Sequence, residues 1–298
     1  MLCHSARPGS GRVGVALLLR SGPAIATPSS PSLMNEHPLW RRMAAELLGS
    51  AFLAAIVIGS GIAAQHLSPE NVGLELFENA AATAAGLFVI VLTFGPVSGA
   101  HFNPVVSFVD ATFGGLRWRH ALAYLPAQMT GCVGGAVVAN LMFGRAAVSI
   151  STKDRASGAH FLSEVVATLG LLLVIFALAR TGRSRSAPAA VGAYIGAAYF
   201  FASSTSFANP AITLGRMFSN TFAGIAPSSA PTFIAAQAVG GVLAVGVVKI
   251  LYPKLTPTEA SDVVVPHHAS SPPSSLEPKD VRPTWALSPS PVTSKDSS

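Results

Sequence analysis

Ser98-Gly99-Ala100-His101-Phe102-Asn103-Pro104-Val105 is answered further along the chain by Ser206-Phe207-Ala208-Asn209-Pro210-Ala211. Asn followed by Pro reads as a helix start. The Asn side chain can accept from unpaired N–H groups of the first turn, and Pro at the first helical position has no N–H to leave unpaired. Each stretch ends a long apolar run, where irregular backbone inside a membrane would ordinarily be forbidden, so each is expected to open a short helix. A lone Asn-Pro pair is as readily a plain turn, but the repetition argues otherwise. Asn103 and Asn209 lie 106 positions apart (209 − 103), Gln128 and Gln237 lie 109 apart, and Glu46 and Glu164 lie 118 apart. Their surroundings match as well: Ala45-Glu46-Leu47-Leu48-Gly49 parallels Ser163-Glu164-Val165-Val166-Ala167, and Ala127-Gln128-Met129-Thr130-Gly131 parallels Ala236-Gln237-Ala238-Val239-Gly240. The central part of the chain therefore reads as two diverged copies of one unit.

Outward from the motifs, the composition places those copies in a membrane. Half of the 298 residues are hydrophobic and 11% are charged, against about 25% charged in soluble domains. The formal charge of +6 does not imply a nucleic-acid partner, because the basic residues flank apolar runs without forming a basic and aromatic stripe. The spans are expected at Met43–His66, Leu74–Phe94, about His120–Phe143, Phe161–Ala179, Ala187–Phe207, and from Pro231 to just before Lys249, each long enough for a core of about 30 Å. The first half-helix is expected to end at Gly114 and Gly115, the second near Asn220. The expected fold is thus all-α and transmembrane: six membrane-spanning helices plus two re-entrant half-helices. Three spans per copy, an odd number, insert the second copy upside down, and inverted repeats bring related segments to the midplane.

Three segments follow: a leader at 1–40, a channel domain at 41–252 (repeats at about 41–145 and 160–252), and a Pro- and Ser-rich tail at 253–298 that reads as disordered. The leader's apolar patch, Val13 to Leu19, is short and interrupted by Arg20, unlike a signal peptide, and Met34 offers an alternative start to Met1. Arg41, Arg42, Arg117, Arg119, Arg180, Arg183, Arg185, Lys249 and Lys254 would share one side and Arg145, Lys153 and Arg155 the other, which makes both termini cytoplasmic. Cys3 and Cys132 suggest no disulfide, the histidines show no ligand spacing, and neither metal nor cofactor is expected.

The string from Ser98 to Pro104, with Asn209-Pro210-Ala211 and the order Glu, Asn-Pro, Gln repeated, strongly resembles the aquaporin, or major intrinsic protein, family over roughly Arg41 to Tyr252. The resemblance implies a passive channel in the cytoplasmic (inner) membrane, a homotetramer with one pore per subunit, and passage of water and small neutral solutes. It implies pore motifs at Asn103, Pro104, Val105 and Asn209, Pro210, Ala211, with two amide donors for a passing oxygen and two positive helix ends as a barrier to cations. Glu46 and Glu164, costly in apolar spans, are assigned to anchoring the re-entrant loops through their N–H groups, with Gln128 and Gln237 bracing the same loops.

By the family's counting, the selectivity filter falls on Thr83, Ala197, Ser206 and Ile212. Family members usually carry Arg where Ile212 stands. None of the four is aromatic or basic, so a wide, weakly polar filter is expected, one that passes glycerol-like polyols, urea and arsenous acid besides water. The run from Asn209 to Thr213, with Thr221 to Pro227, is similar to a bacterial branch associated with arsenic resistance. Arg216, one turn past Ile212, is either a structural residue of the outer mouth or a stand-in for the missing Arg; Asp110 holds the equivalent place in the first copy. The alternatives are a water-selective channel and an ion-coupled secondary transporter, for which only Glu46 and Glu164 could serve. A membrane enzyme is remote, since no nucleophile, metal cluster or phosphate loop lies among the spans.

Overall fold

A computed structural model describes residues 37–253; the leader before His37, the Met34 start and the tail after Pro253 lie outside the described residues. Eight α-helices follow in order: α1 Leu39–Leu67, α2 Val72–Ser98, α3 Pro104–Phe113, α4 Trp118–Met142, α5 Gly158–Arg180, α6 Ala187–Phe201, α7 Pro210–Arg216 and α8 Ala230–Leu251. Five of them, α1, α2, α4, α5 and α8, are each long and apolar enough to cross a membrane. The helix expected as the fifth span is shorter: α6 has 15 residues and is preceded by a 3-10 turn at Ser184–Ser186.

Polar caps and left-handed glycines set the helix ends. Asn71 accepts from Leu74 N to start α2, and Ser157 accepts from His160 N to start α5. Gly99 at φ 90° closes α2 and Gly114 at φ 85° closes α3, a conformation glycine adopts without a Cβ penalty. Three boundaries differ from expectation. α2 runs past Phe94 through Gly95 and Pro96 to Ser98, because a proline in a last turn forfeits one hydrogen bond without ending the helix. α6 stops at Phe201 where an uninterrupted span to Phe207 was expected, and α7 stops at Arg216 well short of Asn220.

The two halves pack alike. α1 crosses α4 and α5 crosses α8, each crossing made close by glycine, with Gly135 adding a second contact on Ala51 of α1. A Cβ on Gly131 would lie 2.3 Å from the Leu47 carbonyl, and one on Gly240 would lie 2.7 Å from the Val165 carbonyl. These are the third residues after Gln128 and Gln237 and the first after Glu46 and Glu164. Small residues permitting close backbone approach are the usual solution where lipid removes the hydrophobic drive between helices. The outward faces stay apolar, with Phe52, Phe77, Val242 and Ile250 all exposed, which suits a lipid surface and would be a liability in water. α3 and α7 meet end to end inside this frame, their N-termini facing each other.

Candidate functional site

Each re-entrant loop is held by one buried carboxylate. Glu46, fully buried, accepts from Ser98 Oγ (2.6 Å), His101 N (3.0 Å), Phe102 N (2.7 Å) and Gln128 Nε2 (2.8 Å). Glu164, equally buried, accepts from Ser204 Oγ (2.6 Å), Phe207 N (2.8 Å), Ala208 N (2.8 Å) and Gln237 Nε2 (2.7 Å). Every loop donor in the second set sits 106 positions on from its counterpart in the first. The two glutamines also reach the half-helices, Gln128 through Ser107 Oγ and Gln237 through Thr213 Oγ1, both at 3.0 Å. Four donors per carboxylate offset the cost of burying the charge.

The cradles hold an unusual backbone. Ala100, Phe102, Thr205, Ser206 and Ala208 all have φ between 48° and 63°, a left-handed conformation costing roughly 1–2 kcal/mol for each residue with a Cβ. Ala100 and Phe102 recur as Ser206 and Ala208, again 106 positions on. Such a run turns successive N–H groups toward the carboxylate and the intervening carbonyls away from it.

The two Asn side chains then cross-link the loops. Asn103 Oδ1 accepts from Val105 N while its amide donates to the Ala208 carbonyl at 2.8 Å; Asn209 Oδ1 accepts from Ala211 N and Ile212 N while its amide donates to the Phe102 carbonyl at 2.7 Å. An amide nitrogen carries two hydrogens, so each Asn keeps one donor beyond its cross-link. Both Asn line a cavity running between the halves, with walls that include Leu53, Val57, Leu87, Leu171 and Ile195.

Of the expected filter residues, Thr83, Ser206 and Ile212 line this cavity together, whereas Ala197 does not. It is exposed on the far side of α6 from Ile195, because two residues turn a helix by about 200°. Val191, Ile195 and Tyr199 present the inward face. Tyr199 Oη and Thr83 Oγ1 are hydrogen-bonded at 3.2 Å, and Ser206 Oγ is buried without a partner. Beyond the four expected positions, Tyr199, Phe207 and Arg216 line the same cavity.

Arg155 closes the mouth on the Arg216 side. Its guanidinium donates to the carbonyls of Gly224, Ser204 and Phe222, fastening the α4–α5 connection over the second loop, and burial lowers it to about 10. Lys153 beside it donates to the Phe222 carbonyl at 3.0 Å. Burial first, then the Arg155 and Arg216 charges, bring its ammonium down to about 8. Asp154 points away to the Ser229 hydroxyl, which holds its carboxyl below the ordinary value. Sequence reasoning missed Tyr199, Phe207 and Arg155, together with the hydroxyls of Ser98, Ser204, Ser107 and Thr213; the last four carried a signal, as two pairs each 106 positions apart.

Residues 33–208 match the family profile described as major intrinsic protein. The chain is 46% identical over 218 residues to the aquaglyceroporin AqpS of Rhizobium meliloti (strain 1021), covering 73% of this chain and 93% of that protein. It is 32% identical over 198 residues to aquaporin NIP1-3 of Oryza sativa subsp. japonica, covering 62% and 68% of the two chains. Among solved structures, the aquaglyceroporin from Plasmodium falciparum superimposes with a TM-score of 0.56 at 21% identity, covering 72% of this chain and 98% of the other.

Proposed function

The chain belongs to the major intrinsic protein family, whose aquaglyceroporins are membrane channels for small neutral solutes and not enzymes, and from that premise we propose that it conducts glycerol-like polyols, urea and arsenous acid as well as water. The observation that carries this reading is the cavity wall. It is apolar over most of its length, at Leu53, Val57, Leu87, Leu171, Ile195 and Ile212, with polar groups gathered at a few points: the Asn103 and Asn209 amides with His101, and Thr83 and Tyr199 with Ser206 and Arg216. A polyol has a hydroxyl edge and a hydrocarbon edge. Passage without its hydration shell requires donors for the first and contact for the second, as in other pores where selectivity is set by width and lining groups. Water alone has no use for the apolar side.

Transport is passive in this proposal. An ion-coupled carrier needs a carboxylate that meets the substrate and changes its protonation, and Glu46 and Glu164 are each engaged with four protein donors. The assembly is a homotetramer in the cytoplasmic membrane with both termini cytoplasmic. Arg41, Arg42, Arg117 and Arg119 at the starts of α1 and α4 and Lys249 at the end of α8 support that orientation by the excess of positive charge on cytoplasmic flanks.

Stopped-flow light scattering on proteoliposomes tests the proposal by comparing water, glycerol and arsenous acid permeability with empty vesicles. Glycerol and arsenous acid fluxes above the lipid background, linear in gradient and insensitive to uncouplers, are expected. Water flux alone would mean a water-selective channel, and uncoupler sensitivity would mean a coupled carrier.

A further inference from the structure

Arg216 is a fully buried arginine whose nearest partners are not acids. It is 2% exposed, and among the described residues no carboxylate lies within ion-pairing distance of it. Its Nε donates to the Ala223 carbonyl, the one hydrogen bond its side chain makes among the described residues. The guanidinium carbon sits 3.5 Å from the centre of the Phe207 ring, a cation–π contact that holds it in place. Burying a charge without a counter-ion is costly, and a residue needed only for packing would not have to be an arginine. What the guanidinium does face is the cavity, whose wall it shares with Ser206 and Ile212. Ser206 Oγ, buried and unpartnered, points to the same need for a polar visitor.

We propose that Arg216 is the charge-selecting residue of the channel: delivered from one turn beyond Ile212 and held on Phe207, its guanidinium puts a fixed positive charge and free N–H donors at the constriction. The Ile212 side chain, which contributes neither, forms the apolar side of the same narrowing. A fixed charge in a constriction of low dielectric raises the energy of a passing cation steeply and leaves a neutral solute untouched. The terminal N–H groups offer hydrogen bonds that replace part of the hydration a hydroxylated solute sheds. This proposal rests on the channel reading above and adds the residue that sets its ion exclusion.

The test uses the purified full chain in proteoliposomes, with glycerol and water fluxes read by light scattering and cation leak read by a pH dye and by sodium uptake. Wild-type vesicles that pass neither water nor glycerol would overturn the channel reading, and this proposal with it. Given solute flux in the wild type, Arg216→Gln is expected to raise the proton and sodium leak at least tenfold. The double variant Ile212→Arg/Arg216→Gln is expected to bring the leak back toward the wild-type level, a rescue that a structural role at residue 216 would not produce. Unchanged leak in a folded Arg216→Gln protein, or no rescue in the double variant, would overturn the assignment while leaving the channel reading intact. Should Arg216→Gln fail to fold, Ile212→Arg alone decides. With Arg216 already at the constriction, a second guanidinium closes the pore to both glycerol and water; if Arg216 lies off the path, water flux survives the substitution.

Discussion

The first re-entrant loop carries His101 where the second carries Phe207, and nine residues further on each half-helix carries a charged side chain that folds back onto that loop residue. In the first half the pair is His101 with Asp110, at 3.4 Å; in the second it is Phe207 with Arg216, at 3.5 Å from ring centre to guanidinium carbon. One contact, between the same two structural positions, is thus made by an acid on an imidazole and by a cation on an aromatic ring. The Ser98 and Ser204 carbonyls repeat the pattern, since one accepts from the Tyr124 hydroxyl and the other from Arg155. Packing follows suit. In the first half Val105 and Val109 of α3 rest on Gly241 of α8, whereas in the second Gly215 of α7 rests on Cys132 of α4, with the glycine moved to the other partner. The backbone scaffold is common to both halves, and the chemistry at the two ends of the pore has parted.

The largest effect that could break this comparison comes from the carboxylates, where the halves are most alike. Glu46→Ala and Glu164→Ala each strand four buried donors, and removing one side of a buried charged network costs about 3–5 kcal/mol. Thermal unfolding in detergent is expected to show two losses of similar size. A large loss at Glu46 beside a small one at Glu164 would mean that the second loop is held chiefly by Arg155.

Where the halves differ in packing, the expected cost is smaller and one-sided. A Cβ on Gly215 would lie 2.7 Å from the Cys132 carbonyl, so Gly215→Ala forces α7 away from α4 and should cost about 1–3 kcal/mol. The equivalent residue of α3 is already Val109, and Val109→Ala should cost less than Gly215→Ala gains in strain. If Gly215→Ala is neutral in thermal unfolding, α7 is not clamped between its neighbours and the fixed position of Arg216 loses its basis.

Capping asparagines sharpen the comparison further. Asn103→Ala removes one cap bond and one cross-loop bond, Asn209→Ala two cap bonds and one cross-loop bond. Loss of a cap costs about 1 kcal/mol, so Asn209→Ala should be the more destabilising by a few tenths to about 1 kcal/mol. Both should lower solute flux, because each takes away one of the two amides in the cavity wall.

How much of this was legible follows from where the chain repeats itself. Asn, Glu and Gln stand out in apolar runs, so the motifs, the carboxylate anchors and their braces could be paired by offset alone. The filter could be read only in part. Counting back from Asn209 to Ala197 fixes a residue on α6 without knowing where that helix ends, and a two-residue error in phase selects the opposite face. The end at Phe201 does carry a local signal, the polar run Ser203-Ser204-Thr205-Ser206 just beyond it, although no Gly or Pro stands between Gly196 and Pro210; Glu164 of α5 then fixes the loop by taking the Phe207 and Ala208 N–H groups. Arg216 was singled out by its place in the repeat, yet whether a side chain near the end of α7 reaches the cavity depends on Phe207 and Ala223, neither of which its own neighbourhood in the sequence reveals.

The smallest expected effect concerns Lys153 and Arg155, the cations gathered beside Arg216, where Asp110 of the first half has Arg42 as a neighbouring charge. Lys153 has its ammonium lowered to about 8 by burial and by Arg155 and Arg216, so the unfolded chain holds a proton that the folded chain has lost between about pH 8 and the ordinary lysine value near 10.4. Stability then rises with pH across that window and falls as pH drops toward 8. Lys153 is an exposed residue, so solvent screening should keep the gain under about 1 kcal/mol. Comparing thermal unfolding of the wild type and Lys153→Met at pH 7.5 and pH 10 isolates the difference. A wild type that gains on the variant at the higher pH shows the Lys153 ammonium held at a cost, by burial first and then by the Arg155 and Arg216 charges, an asymmetry between the two ends that the repeat would otherwise erase. Parallel curves would place Lys153 in solvent, clear of Arg155 and Arg216.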